Sequence, residues 1–126
     1  PYVNTAFVDV ELMDGRLHKH YGVASDQRIL ENLKKTNQVH SQFKLIIRTP
    51  IIPGINDSEA ELTQIGMFCA GLKRLDHIQL LPYHRLGVST YKKLGRDYPL
   101  PHVPVPSSET MEACRSIVKR YIANVI

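Results

Sequence analysis

The chain has 126 residues, 43% hydrophobic and 22% charged, with a formal net charge of +4, the size and make-up of one ordinary globular domain. No run approaches the roughly 18 apolar residues of a membrane span, so a membrane partner is not expected. The basic residues form neither a stripe nor a tail and are not interleaved with aromatics, which argues for a solvated surface and against a nucleic-acid partner.

In chain order, Ala6–Leu12 (AFVDVEL) alternates weakly and is rich in β-formers, which predicts a strand broken by Asp14-Gly15. Ser25 or Asp26 can cap a helix running to Asn37, with Ile29, Leu30 and Leu33 on one face. Phe43–Ile47 reads as a second strand continuing through Arg48, Thr49 and Pro50. Pro53-Gly54 with Asn56-Asp57 marks a loop. Its backbone N–H groups could face an anion, although a turn and helix cap is the commoner use of such a run. Ser58 and Glu61 have capping-box spacing, and Leu62, Ile65, Phe68, Cys69 and Leu72 follow at helical intervals. His77–Leu81 predicts a third strand, ending in Pro82-Tyr83-His84. A proline-rich stretch, 99–106, leads to a last helix starting at Ser107 or Ser108. Its apolar stripe is Met111, Cys114, Ile117, Val118, Tyr121, Ile122 and Val125.

Strands alternating with helices imply an α/β fold with parallel strands joined by right-handed crossovers. Three parallel strands make a thin sheet, and such sheets usually have more strands with both faces covered. The chain also begins at Pro1 and runs almost at once into an apolar strand. Both features point to a piece of a larger protein. Cys69 and Cys114 lie on apolar helical faces, without the spacing of a metal motif, and read as reduced core thiols of a cytoplasmic protein.

The informative feature is where charge falls on the strands. Asp9 and Glu11 share one face of the first strand by its two-residue period. The second strand ends at Arg48 and the third at His84. Ligands of parallel α/β folds bind at the carboxyl ends of strands, so these residues could form one site. An Asp9–Arg48 ion pair tying two strands is the competing structural reading. His18 and His20 lack a spaced partner for a metal site, and His40, His77 and His102 read as surface or packing residues. There is no phosphate-loop, dinucleotide or nucleophile-elbow motif.

Three segments go beyond a generic α/β pattern. Ile47–Asp57, IRTPIIPGIND, resembles the I-R-x-P-[VI]-[IV]-P-G-x-N-D segment of the glycyl-radical-enzyme activases, a group of radical S-adenosylmethionine (SAM) enzymes that includes those activating pyruvate formate-lyase. Leu80–Gly87, LLPYHRLG, with Tyr91 and Leu94-Gly95 beyond it, is similar to that family's L-L-P-Y-H-x-x-G…K-Y…L-G run. Val8–Asp14 with His18, Gly22 and Ile29–Leu33 resembles its D-x-K-x-x-D…H…G…I-L-x-N-L.

The resemblance implies the C-terminal half of a partial (β/α)6 TIM-like barrel: residues 1–126 as the last three β/α units and closing helix, without the N-terminal cluster-binding part. In the whole protein it implies an oxidoreductase using SAM and a 4Fe–4S cluster to make a 5′-deoxyadenosyl radical, which installs a glycyl radical on a partner enzyme such as pyruvate formate-lyase. Flavodoxin or ferredoxin would donate the electron. Asp9, Arg48 and His84 match the family's SAM-pocket positions, Asp9 with an associated monovalent cation, and Val10 and Ile52 would line the pocket. Glu11 stands where the family has Lys beside the SAM carboxylate, and a glutamate there is repulsive unless a cation or proton intervenes. The C-x-x-x-C-x-x-C motif and the Gly-Gly-Glu segment are absent, so this chain alone is expected to hold no cluster ligand, no catalytic residue and no bound cofactor, and to be inactive. The alternatives are a cofactor-less half-barrel that binds a protein, and a radical SAM enzyme with a small-molecule substrate.

Overall fold

The computed structural model describes residues 3–11, 13, 27–39, 42–84, 92–95 and 103–126. Strand β1 (Thr5–Asp9) leads to helix α1 (Gln27–Lys35) and a 3-10 turn (Thr36–Gln38). Strand β2 (Lys44–Ile51), helix α2 (Glu59–Ala70), strand β3 (Leu75–Pro82) and helix α3 (Ser108–Val118) follow. The sheet is parallel with order β1-β2-β3, as the alternation of elements requires. The expected caps near Ser25 and Asp26, the Asp14-Gly15 break, His18, His20, Gly22, His40, Tyr91 and His102 lie outside the described residues.

The two faces of the sheet differ in kind. Leu45, Ile47, Thr49 and Ile51 of β2 and Ile78 and Leu80 of β3 are buried toward the helices, with Val10 just past β1. They pack with Leu33 of α1, Leu62, Ile65 and Cys69 of α2, and Met111, Cys114 and Val118 of α3 into one core. Among the described residues, no helix covers the other face. It carries Phe7 at 54% exposure and Leu81 at 39%, with the polar residues Asp9, Arg48, His77 and Gln79 among them.

Local chemistry sets the ends of α2 and α3. Ser58 Oγ accepts the Glu61 N–H and caps α2. Ser107 Oγ does the same for Thr110 at α3, and Glu109 lies in the first turn, where a helix favours negative charge. The capping box is only half made. The carboxylate of Glu61, 5% exposed, accepts the N–H of Met13 and so ties the chain after β1 to α2.

Two other expectations are corrected. Ile29 of α1 is 37% exposed, and Leu33 takes the buried place on that helix. The last helix stops at Val118 instead of running to Val125. The chain then turns, and Asn124–Ile126 lies parallel to β3: Ile78 N–H donates to Asn124 O (3.0 Å), Ile126 N–H to Ile78 O (2.9 Å) and Leu80 N–H to Ile126 O (3.0 Å). Tyr121, expected on the apolar stripe, instead lies against Gly66 of α2. A methyl group on Gly66 would sit 2.9 Å from the Tyr121 ring. No helix among the described residues is long and apolar enough to cross a membrane.

Candidate functional site

The site is built at one level of the sheet. Register places Asp9 beside Arg48, and Arg48 beside Gln79, so three strands offer polar side chains in one row on the uncovered face. Arg48 Nε donates to Asp9 Oδ1 at 2.7 Å, a charge-assisted bond of ideal length. The guanidinium also lies over the Phe7 ring, 5.6 Å from its centroid, within cation–π range. Ring and carboxylate together fix its plane. The bond uses Nε, and the two terminal nitrogens carry four further N–H donors in a fixed fork. Arg48 is 39% and Asp9 52% exposed at the side chain. As a structural ion pair this contact contributes at most about 1 kcal/mol, so stability alone is a weak reason for it.

Arg48 is not at the end of its strand, as the sequence led one to expect. β2 continues to Ile51 because Thr49 and Ile51 pack into the core. Asp9 is the last residue of β1, and Val10 N–H still pairs with Arg48 O at 2.9 Å. Val10 lies on the other face, 1% exposed within the helix-covered core, so only its backbone borders the site. Glu11, half-buried, follows on the uncovered side, and its carbonyl is held by Asn56. Ile52, also half-buried, begins the turn after β2. His84 is exposed five residues beyond Gln79, roughly 16 Å further along at strand rise. The structure therefore joins Asp9 to Arg48, sets Glu11 and Ile52 just above them, and leaves His84 at the rim.

Sequence reasoning read Pro53–Asp57 as a turn and cap, which it is, and missed that Asn56 organises the site's edge. Pro53 and Gly54 are the central residues of a turn closed by Ile55 N–H to Ile52 O, with Gly54 at φ +79° as a type II turn demands. Asp57 Oδ1 accepts the Gly54 N–H at 2.9 Å. Asn56, fully buried, accepts Ile52 N–H at 2.7 Å and donates to Pro50 O at 2.8 Å and Glu11 O at 2.9 Å. One carboxamide thus locks the carboxyl ends of β1 and β2 together. The N–H groups of Ile52, Gly54, Ile55 and Asn56 are spent inside the turn, so it is not an anion cradle.

His77, read as a surface or packing residue, is partly buried and also hydrogen-bonded on both ring nitrogens. Its Nδ1 lies 2.7 Å from Asp76 Oδ2, and its Nε2 lies 3.2 Å from Gln79 Nε2. The His77 hydrogen bond, with Lys44 nearby, holds the Asp76 carboxyl below its usual range. Cys69 and Cys114 are core thiols as expected, and burial pushes Cys69 up to about 12 and raises Cys114.

Comparison with known proteins places this geometry. No protein-family profile matches the sequence. The isethionate sulfite-lyase activating enzyme of Nitratidesulfovibrio vulgaris is 36% identical over 94% of this chain. The indoleacetate decarboxylase activating enzyme of Tractidigestivibacter scatoligenes is 33% identical over 96%, and the pyruvate formate-lyase 1-activating enzyme of Escherichia coli 31% over 90%. The chain is homologous to the glycyl-radical-enzyme activating enzymes. It spans 38%, 38% and 46% of the lengths of these three relatives. A crystallised domain of pyruvate-formate lyase-activating enzyme from Bacteroides vulgatus superposes with a TM-score of 0.74 at 25% identity, covering 98% of this chain and 66% of that one. The three parallel strands and flanking helices are thus a fragment of the activating-enzyme fold.

Against the cofactors that the activating-enzyme resemblance implies, this donor set divides. A carboxylate paired with an arginine fork on an open face fits the amino-acid end of SAM, which carries one ammonium and one carboxylate. The described residues do not fit an iron–sulfur cluster, which takes thiolate ligands. Both cysteines are buried in the helix-covered core, and no cluster of metal-ligating side chains occurs among the described residues.

Proposed function

We propose that this chain is the SAM-binding, C-terminal half of a radical SAM activase, comprising the last three β/α units of a partial barrel and its closing helix. The observation that carries the reading is the Asp9–Arg48 pair, oriented by Phe7 on the sheet face that the described helices leave uncovered. Arg48 binds the ligand carboxylate through its terminal nitrogens. Asp9 holds the guanidinium by Nε and faces the ligand ammonium, alone or through a monovalent cation. Ile52 and the backbone at Val10 and Glu11 border the ligand, and Asn56 keeps the two strand ends in register beneath it. His84 reaches the far end of an extended ligand from the rim.

Phe7 and Leu81, half-exposed on this face, fit an interior closed by further strands of the same protein. When bound, SAM would supply a 5′-deoxyadenosyl radical on one-electron reduction and release of methionine. What this chain's residues contribute is orientation and exclusion of water. In this reading the whole protein acts in the cytoplasm on a glycyl radical enzyme, with a flavodoxin or ferredoxin as electron donor. The test is calorimetric titration of SAM into the full-length protein and its Arg48→Gln and Asp9→Asn variants. Losses of about tenfold or more in both variants, with unchanged circular dichroism, support the reading. Unchanged affinity in Arg48→Gln defeats it.

A further inference from the structure

The polar row on the uncovered face has a third member that neither the motifs nor the relatives assign. Gln79 stands beside Arg48 in register, and its carboxamide is not free to turn. Asp76 Oδ2 lies 2.7 Å from His77 Nδ1. A carboxylate only accepts, so Nδ1 carries the proton. In neutral imidazole the other nitrogen is then an acceptor. Gln79 Nε2 lies 3.2 Å from that His77 Nε2, as a donor should. The amide nitrogen of Gln79 is thereby committed to His77, and its Oε1 is left as an acceptor on the opposite side of the carboxamide.

We propose that Gln79 is a ligand-contacting residue of the SAM site, its Oε1 accepting from an ammonium or hydroxyl of the ligand, and that His77, held by Asp76, is the positioning residue that sets its orientation. The assignment rests on the SAM reading above. Among the described residues, Lys44 and Lys119 are charged neighbours of the Asp76–His77 pair. Lys119 shares with His77, Asp76 and Asn124 a cleft of about 370 Å³ at the foot of β3. Lys44 lies 3.9 Å from Asp76, so the carboxylate faces a cation on one side and the imidazole on the other.

Two measurements on the full-length protein test this. Long-range proton–nitrogen NMR, with His77→Phe for assignment, should show neutral His77 as the Nδ1–H tautomer. Nε2–H would overturn the inference whether or not SAM binds. Gln79→Leu should weaken SAM affinity roughly three- to tenfold, the worth of one hydrogen bond. A Gln79→Leu protein that binds as the wild type does, while Arg48→Gln does not, sinks this inference and spares the function. Absence of binding by the wild type itself sinks the function, and the ligand role of Gln79 with it.

Discussion

Asn56 is the residue whose removal should reveal most about how the site is held. Its carboxamide is fully buried and makes three hydrogen bonds of 2.7–2.9 Å. Asn56→Ala leaves the Ile52 N–H without its acceptor and the carbonyls of Pro50 and Glu11 each short of a donor. An orphaned buried donor costs about 1–3 kcal/mol, and carbonyls with a second lone pair cost less. The total is about 3 kcal/mol. With a urea slope of about 2 kcal/mol/M, that moves the unfolding midpoint down by about 1.5 M. Asn56→Asp separates hydrogen bonding from volume. It keeps the acceptor for Ile52 but sets a buried carboxylate against two carbonyl oxygens. Burial and those oxygens raise its folded-state pKa above the unfolded value. The penalty is therefore full at neutral pH and relieved as pH falls through the folded-state value. Urea melts of the three proteins at neutral and mildly acidic pH measure this. A loss below about 0.5 kcal/mol for Asn56→Ala, or an Asn56→Asp protein as stable as wild type at neutral pH, would refute the argument.

Arg48→Lys keeps the charge and removes the planar fork. Stability should change by less than about 1 kcal/mol because the pair is exposed, while SAM affinity falls, as melts and calorimetry would separate. Gly54→Ala forces a side chain into φ +79° and should cost about 1 kcal/mol in a thermal melt; no change would mean the turn relaxes freely. Asp76 has its pKa lowered from 3.8 by its bond to His77. Its contribution is present above the unfolded value and lost as pH falls through the lower folded one. Asp76→Asn should therefore flatten the acid limb of a stability–pH curve. Cys69, buried and raised to about 12, should resist thiol reagents until the protein unfolds. Labelling at the native rate of a free thiol would contradict its placement.

What the sequence disclosed, and what it hid, follows from the kind of signal each element carries. β2 was legible because LII and the Pro-Gly turn bracket it, and Ser58 and Ser107 announced their helices through capping chemistry that needs only local contacts. Asp9 and Arg48 stood out because charge on a parallel strand has few bland explanations. The end of α3 was not legible. Tyr121, Ile122 and Val125 continue a helical spacing, but an apolar interval cannot tell a longer helix from a strand laid against the same core, and the pairing of Asn124–Ile126 with β3 is a long-range fact. Val10 was placed in the pocket by motif position, and only the two-residue period of β1 turns it to the core. Asn56, Glu61 and His77 act through partners 45, 48 and two residues away or through an adjacent residue. None of these follows a periodic pattern that would mark it beforehand.

The proposed SAM site on the uncovered face of this sheet stands on Asp9 and Arg48. The most direct measurement is the titration of SAM into the full-length protein beside its Arg48→Gln variant, with folding checked in both. Binding by the wild type and a loss of about tenfold or more in the variant are expected, the effect of removing charge-assisted hydrogen bonds. Equal affinity in the two proteins would contradict the proposed site and leave Asp9–Arg48 as a structural ion pair.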